Sequence, residues 1–233
     1  MSTIIKITPT ILNDFSYLSG LKTPITEDEQ QRVAEARKNF LSKLAKLEVV
    51  AEPTSPLFRG REFEEFIYNR TCGHPLELMI PKTFPSDLQP DQKKFQEIVE
   101  DLAKIVSGST FQERVNGSLK SDISSEDVIY RLTGVADFIN HKEKRIYDIK
   151  YSQRRKKYKY QYSLQHRLYM YCTGLEKFSY LISDGVEWWR EDYYAEPAND
   201  LKFLLKHIKD MRAWIAQDQE ATKHFEQHWF LQS

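Results

Sequence analysis

The chain has 233 residues, 40% of them hydrophobic and 29% charged, which fits a folded globular protein and excludes a disordered one. Its 34 Lys and Arg balance 34 Asp and Glu, so any contact with nucleic acid must use a local basic patch rather than a global field. Two cysteines without metal-ligand spacing, no apolar run of the roughly 20 residues a membrane span needs, and no basic-then-apolar leader make the cytoplasm the expected compartment, with no membrane partner.

Residues 7–18, ITPTILNDFSYL, predict a short helix capped by Thr10, with Leu12, Phe15 and Leu18 on one face. A longer helix is expected over 27–48, with Val33, Phe40, Leu41, Leu44 and Leu47 in one stripe, and Pro53 and Pro56 break the chain after it. Residues 58–69, FRGREFEEFIYN, read as a third helix. Phe63, Phe66 and Ile67 form its apolar side, with Glu62, Glu64 and Glu65 beside it. Glutamates in a first turn can also simply complement the helix dipole. Pro75, Pro81, Pro85 and Pro90 predict a loop over 71–90 with a short strand at 76–80. Phe95, Ile98, Val99, Leu102, Ile105 and Val106 then mark an amphipathic helix.

A strand is expected over 108–120 with Glu113 in its middle, then a polar turn over 121–127. Residues 128–151, VIYRLTGVADFINHKEKRIYDIKY, read as a hairpin turning at 140–144. Two aspartates stand there where apolar residues belong. Period-two alternation puts Asp148 and Lys150 on one face, and the turn returns Asp137 beside Asp148. Adjacent carboxylates repel unless protonated or bridged by a cation, and oxygen ligands suit magnesium or manganese. A surface hairpin with an Asp–Lys ion pair is the plainer alternative.

Basic residues crowd positions 154–159, where a helix over 160–173 is expected to start. That is the unfavourable end for cations, so an anionic partner or a solvated charge run would account for them. In this helix Leu164, Leu168, Tyr171 and Cys172 form the expected core stripe. Gln161, Gln165 and Tyr169 form a neighbouring strip, and Gly174 is the C-cap. A second hairpin follows, 178–183 and 186–194, around Asp184-Gly185. Its Trp188, Trp189, Tyr193 and Tyr194 would stack nucleobases, face the core or cover an edge. A helix carrying Leu201, Leu204, Leu205, Ile208, Met211 and Ile215 comes next, then a last segment over 218–230. There His224 and His228 have the spacing of a metal pair or of a solvated turn.

Four motifs in this order resemble one family. Gly134 to Asp137 is similar to a GxxD strand, and Asp148-Ile149-Lys150 to a (D/E)XK strand. Gln165 and Tyr169 match a QxxxY helix, and Gly60 followed by Glu64 resembles the helix that carries a metal-binding His or Glu. The stretch from Thr10 to Phe15 is similar to the opening of many such domains. Together, over about residues 7–195, they resemble the PD-(D/E)XK nuclease superfamily, in its RecB-like, lambda-exonuclease-like branch. The resemblance implies one α/β domain over 1–233 with a restriction-endonuclease-like αβββαβ core: a mixed sheet flanked by helices over 56–195, an N-terminal helical segment over 1–55 and C-terminal helices over 196–233.

It further implies a metal-dependent DNA nuclease, by analogy an exonuclease, of recombination, repair or phage replication. Mg2+ or Mn2+ would be held by Glu64, Asp137, Asp148 and the Ile149 carbonyl, with Glu62 and Glu65 as alternatives to Glu64. Asp137, Asp148, Lys150, Gln165 and Tyr169 would be catalytic. Arg154, Arg155, Lys156, Lys157 and Lys159 would meet DNA phosphates, and Glu113 is a second-rank site residue. The four cysteines of iron–sulfur members are absent, so no cluster is expected. The analogy leaves open a ring-shaped homo-oligomer and a recombination partner protein. The alternative function is a catalytically inactive nucleic-acid-binding or phage interaction protein that keeps the fold.

Overall fold

In the computed structural model of this chain, residues 3–21, 23–24, 26–47, 55–78, 81–83, 90–121, 127–152, 156 and 158–231 are described. The strands form where β-branched and aromatic residues concentrate. They are β1 (Thr3–Ile7), β2 (Thr110–Lys120), β3 (Val128–Asn140), β4 (Arg145–Tyr151), β5 (Lys177–Ser183), β6 (Trp188–Tyr194) and β7 (Phe230–Leu231). They build one mixed sheet in the order β6-β5-β4-β3-β1-β7, with β2 also paired to β3. The β1–β3 and β4–β5 pairs are parallel and the others antiparallel.

Helices α1 (Pro9–Gly20), α2 (Glu27–Leu44), α5 (Leu164–Thr173), α6 (Pro197–Ile215) and α7 (Gln219–Trp229) bury their apolar sides in one core. Helices α3 (Pro56–Thr71) and α4 (Gln92–Val106) cover a second core around Phe63, Phe95 and Phe138. Phe63 and Phe95 join α3 to α4 at 5.6 Å between ring centroids, both fully buried. Each such side chain contributes roughly 1.5–3 kcal/mol by leaving water. The expected order holds from α4 through β2, β3, β4 and α5 to β5.

Local chemistry explains most boundaries, including those that differ from expectation. Thr8, not Thr10, caps α1, because Pro9 suits the first helical position and the Thr8 hydroxyl accepts from Ile11 N. Thr26 and Glu29 form a reciprocal capping box at the start of α2. That helix stops at Leu44, so Leu47 is exposed; Glu48 and Pro53 lie outside the described residues. Residues Leu76–Leu78 form a 3₁₀ turn instead of a strand, while 79–80 and Pro85 lie outside the described residues, as does most of the 121–127 turn. The α5 helix begins at Leu164, not at 160: Ser163 caps it through Gln165 N, and residues 158–162 are a turn. The β5–β6 connection has four residues rather than two. Asp184 Oδ1 accepts from Val186 N and Glu187 N at 2.9 Å, and Gly185 has φ +90.

Strand β1 was not expected. Within the N-terminal segment it pairs with residues 128–132 of β3. On the same edge of β3, β4 pairs only with residues 138–140. Residues 133–137 between them have no strand partner on that edge among the described residues. The sheet is therefore open over five residues, inside its longest strand.

Candidate active site

The opening in the ladder falls on the GxxD stretch. Asp137 stands opposite Asp148 in the β3–β4 register, one step beyond the last regular pair, Phe138 with Tyr147. There a side chain takes over from the backbone: Asp137 Oδ2 accepts from Ile149 N at 2.8 Å. Residue alternation breaks at the same point, since Ala136 packs in the first core and Phe138 in the second. Residues two apart in a regular strand share a face. The strands splay, and Asp137 and Asp148 lie between the two helical layers.

Helix α5 fills the opening from one side. Gln165 Nε2 donates to Asp148 Oδ1 at 2.6 Å, and the Tyr169 hydroxyl donates to the Val135 carbonyl at 2.7 Å. The spacing of four residues puts both side chains on one face of the helix. Tyr169 comes so near β3 that only glycine fits at 134: an added β-carbon would stand 2.9 Å from its hydroxyl. Gly134 thus serves close approach. The helix start is fixed by the chain's N-terminal part, because Asn13 Oδ1 accepts from Leu164 N at 2.9 Å. Tyr180 also donates its hydroxyl to Ser163 Oγ at 3.1 Å.

Helix α3 reaches the opening from the other side. Phe63 and Ile67 are fully buried, and this sets the rotation of the helix. Glu62 then points to the 82–83 backbone, accepting from Lys82 N at 2.9 Å and Thr83 N at 3.1 Å. Glu65 is exposed. Glu64 is the member of the trio whose charge is felt by Asp137, and it accepts from Gln112 Nε2 at 3.3 Å. Gln112 was not anticipated. It sits opposite Asp137 on β2 at φ +50, a conformation unusual for a residue other than glycine. Gly60 has open space around it, so packing does not require glycine there.

The electrostatics are those of carboxylates held close together, with Asp148 buried and Asp137 and Glu64 half-buried. Burial, and then the Asp148 charge, push the Asp137 pKa well above the usual range. Burial also raises Asp148, opposed by Lys150 and Gln165, and raises Glu64, opposed by Gln112. Lys150 is shifted up: burial pulls it down, but Asp148 and Asp137 outweigh that, so it stays protonated. Asp148, 1% exposed, meets the Lys150 ammonium through Oδ2 and the Gln165 amide through Oδ1. The donor set is all oxygen and carries more negative charge than Lys150 offsets, which fits a hard divalent cation in kind. Among the described residues, no three His, Cys, Asp or Glu side chains stand close enough to enclose an ion as they are.

Other expected residues fall elsewhere. Glu113 turns away from the opening to Thr110 and His141, at 3.0 Å from the His141 ring. Gln161 lies before α5 and is exposed. Arg154, Arg155 and Lys157 lie outside the described residues. Lys156 is exposed, while Lys159 Nζ donates to Ser152 Oγ at 2.8 Å and its backbone N–H to Glu191. Because α5 starts at Leu164, Lys156 and Lys159 are not in its first turn. Trp189 and Tyr193 pack on the first core and Trp188 on the second, whereas Tyr194 is exposed. His224 and His228 lie on α7, in no three-residue ligand group among the described residues.

No protein-family model matches the chain, and no curated protein does. Among solved structures it is similar to the crystal structure of SSO0001, with 14% identity over 74% of this chain and 85% of that one, at a TM-score of 0.37. It is similar to LHK-Exo in complex with dAMP, with 14% identity over 94% of each chain and a TM-score of 0.42. It is also similar to the alkaline exonuclease LHK-Exo from Laribacter hongkongensis, with 12% identity over 91% of this chain and 92% of that one, at a TM-score of 0.37. At these values the likeness carries no argument about chemistry, which rests on the side chains gathered in the opening of the sheet.

Proposed function

We propose that this chain is a Mg2+- or Mn2+-dependent deoxyribonuclease of exonuclease type, of the PD-(D/E)XK superfamily, acting in recombination, repair or phage replication. One observation carries the reading. Asp137, Asp148 and Lys150 meet in a gap of the sheet, with Glu64 from one layer and Gln165 and Tyr169 from the other. Asp137, Asp148, Glu64 and the Ile149 carbonyl would hold the cation, which when bound supplies Lewis acidity toward a phosphodiester and a water.

The chain's own groups have separable tasks in this reading. Lys150, kept charged by its neighbours, places positive charge where the attacked phosphate becomes more negative. Gln165 fixes the Asp148 carboxylate through Oδ1 and leaves Oδ2 toward Lys150. Tyr169 is a positioning residue, since its hydroxyl is committed to the Val135 carbonyl. Asp137 holds the splayed strand together through Ile149 N, so the geometry of the opening and the charge within it depend on one carboxylate.

The test is an assay on end-labelled linear DNA and on a covalently closed circle, with Mg2+, Mn2+ or EDTA. Linear DNA should be lost only with a divalent cation, and the circle should survive. Asp137→Ala and Asp148→Ala should each remove nearly all cleavage. Cleavage that persists in EDTA, or wild-type rates in either variant, would overturn the reading.

A further inference from the structure

Beside Glu64, between α3 and β2, lies a cavity of about 380 Å³ that the proposed chemistry does not use. Its volume is within the range of small-ligand pockets. Arg61, Glu64 and Tyr68 are spaced three and four residues apart on α3, on the strip beside buried Phe63 and Ile67, and all three line it. Phe111 and Gln112 of β2 close the other wall, and Glu65 and Asn69 of α3 also line the cavity.

The aromatic groups form a staircase from the core to this cavity. Phe138 is 1% exposed, and Phe111 tilts against it at 5.1 Å between centroids. Tyr68 then stacks flat on Phe111 at 3.9 Å with an interplanar angle of 10°. Tyr68 is the outermost ring and is only half-buried. A flat ring fixed by a second ring beneath it is a platform for another planar group. The polar groups around it suit a nucleotide. Arg61 is exposed and supplies a planar cation for phosphate, while Asn69 supplies an amide with a donor and an acceptor for a base edge. Glu64 belongs both to this cavity and to the carboxylate site, so the two adjoin.

We infer that this cavity is a nucleotide subsite, which stacks one base of a nucleic-acid strand on Tyr68 and pairs its phosphate with Arg61. The inference rests on the nucleic-acid reading above and adds where a strand lies relative to Glu64. It also assigns roles to Arg61, Tyr68 and Asn69.

The test uses the full chain carrying Asp148→Asn, to prevent turnover, and a fluorescent single-stranded oligodeoxynucleotide, titrated at several salt concentrations. Tyr68→Ala should weaken binding about tenfold with the salt slope unchanged, because stacking is sequence-tolerant and uncharged. Tyr68→Phe should bind as the parent does, which separates the ring from its hydroxyl. Arg61→Ala should flatten the plot of log affinity against log salt by about one unit. Parent-like binding by both Tyr68→Ala and Arg61→Ala would overturn the subsite, as would a parent that binds no oligonucleotide. Wild-type cleavage is measured separately. If the wild type cleaves and these variants bind normally, the subsite falls and the nuclease stands. If the variants bind weakly and the wild type cleaves nothing, the subsite stands and the nuclease falls.

Discussion

Gly134 and Tyr169 approach so closely that a β-carbon added to the glycine would lie 2.9 Å from the tyrosine hydroxyl and 3.0 Å from Cζ, and nearer still to Cε1. Tyr169 has little room to yield, since it is 3% exposed and its hydroxyl is bound to the Val135 carbonyl. Gly134→Ala should therefore cost about 1–3 kcal/mol through overpacking. In a Tyr169→Ala background the same substitution should cost nearly nothing, because the clashing ring is gone. Urea denaturation of the four proteins checks this. Equal costs in both backgrounds would show that the glycine is there for another reason.

Asp137 makes stability depend on pH in a definite direction. Its folded pKa is raised, chiefly by burial, so the folded state binds more protons than the unfolded one between the two pKa values. In chelator, stability should be greatest at low pH in that window. It should fall as pH rises from the ordinary aspartate value of 3.8 toward the raised one. Asp148 and Glu64, also raised, act with the same sign. Asp137→Asn keeps an acceptor for Ile149 N and removes the charge, so at neutral pH in EDTA it should melt above the wild type. Added Mg2+ should stabilise the wild type and not the variant. A variant that melts lower in EDTA would contradict the argument.

Lys150 and Asp148 are coupled through one ion contact in a buried place. Lys150→Met leaves the Asp148 carboxylate without its cation and should cost about 3 kcal/mol of stability. Adding Asp148→Asn to that variant should restore most of the loss, while cleavage stays absent in both proteins. Thermal denaturation and the linear-DNA assay measure the two effects independently. A double variant no more stable than Lys150→Met would remove the coupling.

Lys156 and Lys159 should differ in their contribution to DNA affinity, although both were expected to meet phosphates. Lys156 is exposed, and Lys156→Ala should reduce the salt slope by about one unit. Lys159 has its ammonium on Ser152 Oγ and a pKa lowered by burial, so Lys159→Ala should change the slope less. Gln165→Ala acts at the carboxylates instead, and should lower turnover roughly 10–100-fold with the slope preserved. Fluorescence titration at several salt concentrations separates the three. Equal slopes for Lys156→Ala and the parent would leave the tract as a solvated face.

Much of this arrangement can be read from short-range pattern. Alternation and turn chemistry place β3, β4 and the second hairpin, and the apolar stripe from Phe95 to Val106 places α4. Asp137, Asp148 and Lys150 are conspicuous because they interrupt apolar strands, and Gln165 with Tyr169 because four residues return to one helical face. Where the pattern is ambiguous, boundaries move. The polar and aromatic run before Leu164 carries helix-compatible residues, yet Ser163 and Asn13 hold the first turn further along.

Which residue types can do chemistry, and on which strands and helix they stand, follows from short-range pattern, because alternation, helical spacing and capping act over a few residues. That they meet follows from long-range packing. Strand β1 has only five residues, and its partners lie more than a hundred positions away, so no local signal announces that it ends at Ile7, opposite Leu132, and leaves β3 open before Phe138. Three neighbouring glutamates are equivalent in sequence, but about 200° of helical rotation separates Glu62 from Glu64 and about 100° separates Glu64 from Glu65. Burial of Phe63 and Ile67 chose Glu64 for the opening and sent Glu62 to the 82–83 backbone. Gln112 came into the site for the same reason: its place opposite Asp137 is a matter of strand register, set by long-range pairing that its own neighbours do not specify.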